Sequence, residues 1–305
     1  MKQVVVFGSL NMDLTIQCSR MPLAGETVEG SNFLSNPGGK GGNQAVAAAK
    51  SKARTRMIAC VGPDVFGREI LDGLKEYQVD CEAVKVSAHG QTGVAMITCH
   101  EGDNRIILSS GTNHELRVQD VKEALERVAV PGDLFVTQYE CDKETVLESL
   151  KAARQMGMYT IFNPAPAKTI PKESYPNIDL LVVNQTEAQF QTGIFPEGEE
   201  SCRAAIQTML QMGAGQVIIT LGSGGSIFNV GEELRLVPAY RVEVVDTTAA
   251  GDTYIGALAA RLAAGRELEE SVLYATRAAA LTITRYGAQQ AIPFKEEIEA
   301  FGTEQ

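Results

Sequence analysis

From about residue 130 to residue 220 the sequence alternates short apolar runs with longer amphipathic segments, and this alternation constrains the fold more than any other feature. The apolar runs are rich in β-branched residues and lack a polar side, which is typical of strands buried on both faces of a parallel sheet. The segments between them repeat apolar residues at helical spacing. We therefore expect an α/β fold, a three-layer α/β/α sandwich with a mostly parallel central sheet. The expected strands are 133–138, 159–163, 178–184 and 216–220, the expected helices are 143–157 and 199–215, and residues 1–8, 39–50, 55–61 and 65–78 fit the same rhythm.

Two stretches interrupt this rhythm because no helix accompanies their strand-like patterns. Residues 12–35 alternate apolar and polar side chains between Pro and Gly turns, and residues 92–109 are typical of a hairpin around the sequence EGDN. We expect these strands to form a small separate sheet that serves as a lid on the α/β core. The sequence has no long linker, low-complexity tract or internal repeat, so we expect residues 1–305 to form one domain with the lid strands inserted.

Composition argues against several classes of protein. The formal charge of −11 and the lack of a Lys/Arg cluster argue against nucleic-acid binding. No segment approaches the roughly 18 uninterrupted apolar residues of a membrane span, and the N-terminus lacks the apolar stretch of a signal peptide. We therefore expect a cytoplasmic protein with no membrane partner. The six cysteines are scattered, which favours reduced thiols over a zinc site or a disulfide framework. The three histidines lie away from the glycine-rich turns, so an acid–base group would be a carboxylate or a lysine.

Glycine-rich turns carry most of the functional signal. Neither G-x-x-x-x-G-K-[ST] nor a G-x-G-x-x-G after the first strand occurs, which removes the main support for P-loop and dinucleotide-binding proteins. The segment NPGGKGGNQAVAAAK (36–50) places four glycines and a lysine at a helix start, where the backbone can approach a ligand and offer free N–H groups. The segment IITLGSGGS (218–226) turns at the carboxyl end of a strand, where open α/β sheets bind ligands. The segment TRYGAQQAIP (284–293) indicates a turn after a long helix.

The segment VDTTAAGDTYIGAL (245–258) sets two aspartates around a run of small residues. We expect Asp246 to follow a strand and Asp252 to lie at the N-cap or first position of a helix. A capping aspartate contributes about 1 kcal/mol, but a cap does not require Ala249, Ala250 and Gly251, whose side chains are too small to shield their amides. Exposed amides at a helix start form an anion hole. A carboxylate beside that hole can take a proton from a hydroxyl that attacks the anion.

Two of these segments resemble the signatures of a known family. GGKGGNQA near the N-terminus and DTTAAGDTYIGAL in the C-terminal third are similar to the two signatures of the PfkB (ribokinase-like) sugar kinases, and the resemblance runs the whole length of the chain. It implies ATP-dependent phosphorylation of a sugar's primary hydroxyl. The shorter segments GSLNMDL, TGVAMI, QYE, NPAPA, NQTEA and RYGAQ resemble the family members that phosphorylate D-ribose at O5.

The resemblance also implies roles for individual residues. Asp252 matches the catalytic base, and Ala249, Ala250 and Gly251 match the amides of the anion hole. The positions that match sugar contacts are Asn11, Asp13, Gly38, Gly39, Lys40, Gly41, Asn43, Glu140 and Asp252. The positions that match ATP contacts are Asn184, Thr220, Leu221, Gly222, Ser223, Gly224, Gly225 and Gly251. Glu187 matches the residue that organises Mg²⁺ and its waters, and a K⁺ loop is matched by Asp246, Thr248, Thr282, Arg285, Gly287 and Ala291.

Several alternatives stay open at this point. Lys40 either assists with phosphate charge or points away from the site. Ala291 replaces a serine common in ribose kinases, which removes a hydroxyl from the K⁺ loop. Ile255 stands where many ribose kinases have an asparagine, and deoxyribose kinases are similar to this sequence there, which leaves deoxyribose as an alternative substrate. Other kinases of the family, for nucleosides or fructose, are further alternatives. From another class, a non-catalytic sugar or nucleotide sensor is the alternative. The resemblance further implies activation by K⁺, exclusion of water by the lid, and a homodimer formed through the lid.

Overall fold

The computed structural model describes residues 2–100 and 103–302. Its strands in chain order are Val4–Phe7 (β1), Asn11–Cys18 (β2), Gly30–Gly38 (β3), Thr55–Val61 (β4), Val79–Asp80 (β5), Val84–Val86 (β6), Gly93–His100 (β7), Asp103–Ser109 (β8), Leu134–Gln138 (β9), Tyr159–Asn163 (β10), Leu180–Asn184 (β11), Gln216–Thr220 (β12), Ser226–Val230 (β13) and Glu233–Val237 (β14). Its helices are Lys40–Lys50 (α1), Val65–Glu76 (α2), Val118–Val128 (α3), Lys143–Gln155 (α4), Gln185–Thr192 (α5), Glu199–Met212 (α6), Ala250–Ala263 (α7), Leu268–Thr282 (α8) and Lys295–Ala300 (α9).

The central sheet runs in the order β14-β13-β12-β11-β10-β9-β1-β4-β5, and β6 pairs with β4. Neighbouring strands from β12 to β5 are parallel, so the predicted three-layer fold with a mostly parallel sheet is confirmed. The exception is the edge formed by β13 and β14, which are antiparallel and were not predicted as a pair. Only Gly231, with a φ of 60°, and the next residue separate these two strands, and so short a turn can join only antiparallel neighbours.

Helices cover both faces of the central sheet. Val4 and Val6 of β1 belong to one apolar cluster with residues of α1, α2, α7 and α8. Val5 and Phe7 point to the opposite face and belong to a second cluster with residues of α3, α4, α5 and α6. Because successive side chains of each strand are buried in different layers, the strands need continuous apolar runs.

The strands without covering helices form a separate small sheet in the order β3-β2-β7-β8. β2 and β7 are parallel and join the two stretches that the sequence set apart, whereas the outer pairs are antiparallel. The predicted hairpin contains β7 and β8, but residues 101 and 102 of its turn lie outside the described residues. Strand β2 begins just after β1 and strand β3 ends just before α1, so the base of the small sheet lies at the carboxyl end of β1.

In the two described ranges, no helix combines the length and the apolar character that a membrane crossing requires.

Candidate active site

The first turn of α7 carries Asp252. The helix begins at Ala250, so Asp252 is its third residue rather than the predicted cap or first residue. Ala249 caps the helix with a φ of 59°, a left-handed conformation that costs an alanine about 1–2 kcal/mol. The N–H of Thr253 makes the first helical bond, to the carbonyl of Ala249. The amides of Gly251 and Asp252 precede it and have no carbonyl four residues earlier in the helix, so this turn can act as an anion hole.

The carboxylate of Asp252 is buried and held by two amide groups of α1. Asn43 donates from Nδ2 to one oxygen at 3.0 Å, and Gln44 donates from Nε2 to the other oxygen at 3.0 Å. Gln44 in turn accepts a hydrogen bond of 2.6 Å from Nε2 of Gln138. Both α1 donors follow the glycine-rich turn, so the turn and the predicted base form one site.

Asn11 begins β2 and is oriented by a neighbour that the sequence did not indicate. The backbone N–H of Leu10 donates to Oδ1 of Asn113 at 2.8 Å, which leaves Nδ2 of Asn113 to donate to Oδ1 of Asn11 at 2.7 Å. The amide nitrogen of Asn11 is therefore free to donate elsewhere. Gly93 lies directly beside Asn11, and a Cβ at Gly93 would overlap the side-chain amides of both asparagines.

Glu140 closes the other side of the glycine-rich turn. One of its carboxylate oxygens accepts a hydrogen bond of 2.5 Å from the hydroxyl of Ser9 and one of 3.1 Å from the backbone N–H of Lys40. Asp13 lies two residues after Asn11 on the same face of β2. Its partner in β3 is Asn36, and the partner of Asn11 is Gly38. A Cβ at Gly38 would overlap the Asp13 carboxyl, so a glycine is required for that side chain to fit.

The charges of this region perturb one another. Burial first, and then the nearby carboxylates of Glu140 and Asp252, raise the pKa of Asp13 to about 7. The carboxylate of Asp252, followed by Glu140 and Glu187, raises the pKa of Lys40 against the opposing effect of burial. Lys40 therefore lies within electrostatic reach of these carboxylates.

A cleft of about 940 Å³ opens on the opposite side of the α7 N-terminus. Ala250 and Gly251 line one end of it, together with the glycine-rich turn that follows β12. That turn is closed by a hydrogen bond of 2.7 Å from the N–H of Leu221 to the carbonyl of Gly225. The rest of the wall is largely apolar and includes side chains that the sequence did not indicate, namely Pro238, Tyr240, Val242, Val244, Ala279 and Ile283. Such a wall suits a nucleobase, with the phosphates directed to the α7 amides.

Asn184 and Glu187 form the start of α5 at the carboxyl end of β11. The N–H of Glu187 donates to Oδ1 of Asn184 at 2.7 Å, and the carboxylate of Glu187 accepts from the N–H of Asn184 at 3.0 Å. Asn163 adds a hydrogen bond of 3.2 Å to the same carboxylate. Burial raises the pKa of Glu187, whereas the hydrogen bond from Asn184 and the charge of Lys40 lower it. Glu187 is therefore a buried carboxylate within electrostatic reach of Lys40 and Asp252.

Asp246 joins two of the loops expected at a K⁺ site. It accepts hydrogen bonds from the N–H and hydroxyl of Thr248 at 2.9 and 2.6 Å, and from the N–H of Gly287 at 3.0 Å. The side chain of Arg285 pairs with Glu297 at 2.6 Å, so Arg285 can offer only its backbone to this loop. The carbonyl of Thr282 accepts the N–H of Arg285, and Ala291 is buried.

The prediction that Asp246 follows a strand was wrong. Residues 238–249 form no strand. Val242 and Val244 line the cleft beside the start of α7, and the N–H groups of Val245 and Asp246 bond to the carbonyl of Ile283. The alternation of valines in this segment therefore reflects a ligand-lining wall and not a paired strand.

Two further findings concern metals and histidines. Within the two ranges that the structure describes, no three His, Cys, Asp or Glu side chains are grouped so that they could hold a metal ion. His89 and His114 are exposed, and His100 ends β7. None of the hydrogen bonds of the Asp252 site described above involves a histidine.

Comparison with known proteins identifies the class. The model of the pfkB family of carbohydrate kinases matches residues 1–295. The ribokinase of Bacillus subtilis is 37% identical over 299 residues, which cover 98% of this chain and 99% of that protein. The deoxyribokinase of Salmonella typhi is 32% identical over 300 residues, 98% of each chain. The solved structure of Arabidopsis thaliana ribokinase complexed with ribose and ATP has a TM-score of 0.89 and 29% identity, and covers 98% of this chain and 97% of that one.

The fold, the buried aspartate and the adjoining nucleotide cleft are those of a small-molecule kinase. The chain belongs to the PfkB family of carbohydrate kinases.

Proposed function

We propose that this protein transfers the γ-phosphoryl group of ATP to O5 of D-ribose and releases ribose 5-phosphate and ADP. The observation that carries the proposal is the position of Asp252. Its carboxylate is held by the sugar-side helix α1, while Gly251, the residue before it, lines the nucleotide cleft. A hydroxyl bound on one side and a phosphate bound on the other would meet at this turn. The relatives that are named ribokinases support ribose as the sugar.

The chemistry follows from this arrangement. O5 of the sugar forms a bond to the γ-phosphorus, and the bond between that phosphorus and the β,γ-bridging oxygen breaks, so its electron pair leaves with ADP. Asp252 orients the hydroxyl and accepts its proton late in the transfer. The amides at the start of α7 bind the phosphoryl oxygens, where negative charge accumulates. Asn11, Asp13 and Glu140 hold the other sugar hydroxyls.

Lys40 supplies the positive charge on the sugar side. Because three carboxylates raise its pKa, the ammonium group keeps its proton throughout the neutral range. A cation between Asp252 and the arriving phosphate reduces the repulsion between them. We therefore propose that Lys40 offsets the negative charge of the arriving phosphate.

Mg²⁺ fits the nucleotide side through Glu187. Mg²⁺ in kinases is bound by one or two carboxylates, waters and the substrate phosphates, and it neutralises phosphate charge during transfer. Glu187 is a buried carboxylate at the carboxyl end of β11, close to Lys40 and Asp252, and Asn184 fixes its orientation. Asn184 and Glu187 would hold the ion and its waters beside the phosphates.

K⁺ fits the loop around Asp246 through main-chain carbonyls. The Asp246 carboxylate ties Thr248, just before the anion hole, to Gly287, just after α8. A monovalent cation bound by the carbonyls of these two segments would stiffen the turn that leads into α7. We therefore expect K⁺ to raise activity even though Ala291 offers no hydroxyl.

The small sheet is proposed to act both as a lid and as a dimer contact. Ile16, Met96 and Ile107 are exposed, and Met96 pairs directly with Ile107 across β7 and β8. These side chains share the face of the sheet opposite to Asp13, so they cannot contact the sugar. Contiguous exposed apolar residues mark association surfaces. A second copy of this chain would cover them and hold the lid over the sugar, where it excludes water.

Deoxyribose is the second candidate substrate, and the deoxyribokinase relative favours it. Ile255 is buried in the core one turn after Asp252. An apolar side chain there offers no hydrogen bond, which suits a sugar with one hydroxyl fewer. We keep ribose first because Asn11, Asp13 and Glu140 supply side chains that can bind its hydroxyls.

A coupled assay of ADP release tests this function. Ribose, deoxyribose, fructose and adenosine are each supplied with MgATP, with and without K⁺. We expect ribose to give the highest kcat/KM and K⁺ to increase it. Turnover of deoxyribose with none of ribose would contradict the ribose assignment, and no turnover of any sugar, with ribose still bound, would indicate a sensor.

A further inference from the structure

We propose that Gln44 and Gln138 are positioning residues that fix the Asp252 carboxylate for its reaction. This inference rests on the proposed function, because it gives these glutamines a role only if Asp252 is the base. Neither residue contacts the nucleotide cleft, and they come from different elements, α1 and β9.

The three side chains form a continuous buried chain. Gln138 donates to Oε1 of Gln44 at 2.6 Å, and Gln44 donates to Oδ1 of Asp252 at 3.0 Å. Gln44 and Gln138 are both fully buried. The chain therefore runs from the central sheet through α1 to the start of α7, with no solvent to replace a lost partner.

The direction of every donor in this chain is set by the carboxylate. An ionised Asp252 can only accept, so Gln44 must turn its NH₂ group toward it and its oxygen away. Gln138 must then supply an NH₂ group to that oxygen. Among the residues that the structure describes, the buried oxygen of Gln138 has no hydrogen-bond partner, and it lies where a Cβ of Gly8 would be. A buried oxygen without a partner lowers the stability of the folded protein. Such a cost is consistent with selection that favours the orientation of Gln44 over local stability.

Two amide donors have a specific effect on the base. Asn43 and Gln44 each bind one oxygen of Asp252, which fixes the plane of the carboxylate. The remaining lone pairs can accept a hydrogen bond from the sugar hydroxyl. Since Asn43 is already expected to contact sugar, Gln44 is the partner whose only task is to orient Asp252. A misplaced catalytic group can cost about 10²-fold in rate.

The test uses three variants and reads kcat and KM separately. Gln44→Leu removes the donor, and we expect kcat to fall roughly 10- to 100-fold with the KM for ribose changed less than about 3-fold. Gln138→Leu acts only through Gln44, so we expect a smaller loss, and the double variant should be no slower than Gln44→Leu alone. Equal losses of kcat from the two single changes that add in the double variant would contradict the proposed hydrogen-bonded chain.

Gln44→Glu gives a readout that a purely structural role would not produce. A glutamate keeps the acceptor for Gln138 but sets a carboxyl group against Asp252, and two adjacent carboxyl groups hold one proton between them. We expect a kcat deficit at pH 8 that shrinks at lower pH, where the shared proton restores the hydrogen bond. Asp13, Lys40 and Glu187 also face Asp252, so each value is taken as a ratio to the wild-type enzyme at the same pH. A deficit that does not vary with pH would overturn the inference.

Gln3→Glu is the matched control. Gln3 is also buried and donates at 2.6 Å to a carboxylate, that of Asp133, but it lies at the start of β1 away from the site. This variant should lose stability and keep its kcat. Asp252→Asn is measured in parallel. If Asp252→Asn stays active, the proposed function fails. If it is inactive while the Gln44 variants keep wild-type kcat and pH profile, only the positioning role fails.

Discussion

At the scale of single residues, the site around Asp252 holds several carboxylates close together, an arrangement that is unfavourable for folding. Burial contributes most to raising the pKa of Asp13 to about 7, and the nearby carboxylates of Glu140 and Asp252 add to the rise. Like charges held together in a partly dry pocket destabilise a protein, and such a cost is expected at a functional site. A sugar hydroxyl that donates to these carboxylates would offset the cost.

Asp13→Asn should therefore stabilise the sugar-free enzyme and weaken sugar binding. The folded-state pKa of Asp13 lies above its ordinary value of 3.8, so its contribution to stability is present at low pH and is lost as the pH rises toward about 7. The asparagine variant should exceed the wild type in unfolding free energy at pH 8, by about 1–4 kcal/mol, and by much less at pH 4. Urea denaturation at the two pH values measures this difference, and calorimetry measures ribose affinity. Asp72→Asn, at an exposed aspartate, is the control. An equal effect at both pH values would contradict the argument.

At the scale of elements, α1 organises the site along its whole length. Its first residues belong to the glycine-rich turn, Asn43 and Gln44 hold Asp252, and Lys50 ends the helix. The buried ammonium of Lys50 donates to the carbonyls of Gln289 and Ile292 at 2.9 and 2.8 Å. Helix α1 is thereby connected to the loop expected to hold K⁺.

Lys50→Met keeps the apolar stem and removes the ammonium group. Burial lowers the pKa of Lys50 to about 8, so at neutral pH the group is still mostly protonated and binds both carbonyls. Leaving these carbonyls unpaired should cost about 1–3 kcal/mol. Thermal unfolding measures the loss, and we also expect weaker stimulation by K⁺. Lys75→Met, at an exposed lysine that pairs with Asp72 at 3.6 Å, should change stability by less than about 0.5 kcal/mol. A similar loss from both variants would contradict the role of Lys50.

Elements differ in how far the sequence reveals them. Strands such as β9 to β12 were predictable because burial on both faces requires continuous apolar runs. The strand expected before Asp246 was wrong because Val242 and Val244 alternate along a ligand cleft. Asp252 was identifiable from its small neighbours, whereas Gln44 and Gln138 were not, because they are 94 residues apart and meet only in the folded chain. Asn113 carries no local signal at all.

At the scale of the whole molecule, the large cleft and the site around Asp252 both adjoin the start of α7. The central sheet provides both, since the loops at the carboxyl ends of its parallel strands converge there. The small sheet extends from the same edge, and on one of its faces Met12 and Leu14 pack against the core whereas Ile16, Met96 and Ile107 are exposed. A second copy that covers this face would link lid position to assembly.

Ile107→Glu tests that assembly. Ile107 is 75% exposed on the outer face of the small sheet, and a charge there should prevent a second sheet from packing on it. Sedimentation should show a dimer for the wild type and a monomer for the variant, with a raised KM for ribose. Leu236→Glu changes another exposed residue, in β14 of the central sheet, and should leave the dimer intact. A monomeric wild type would contradict the proposed interface.

The central claim is that the carboxylate of Asp252 takes the proton of the attacking hydroxyl. Steady-state kinetics of Asp252→Asn and Asp252→Ala, combined with calorimetric binding of ribose, test it most directly, with Asp142→Asn at the N-cap of α4 as control. We predict that kcat falls at least about 10²-fold in both Asp252 variants while ribose still binds, and that the control keeps its kcat. Near-wild-type kcat in either Asp252 variant would contradict the account.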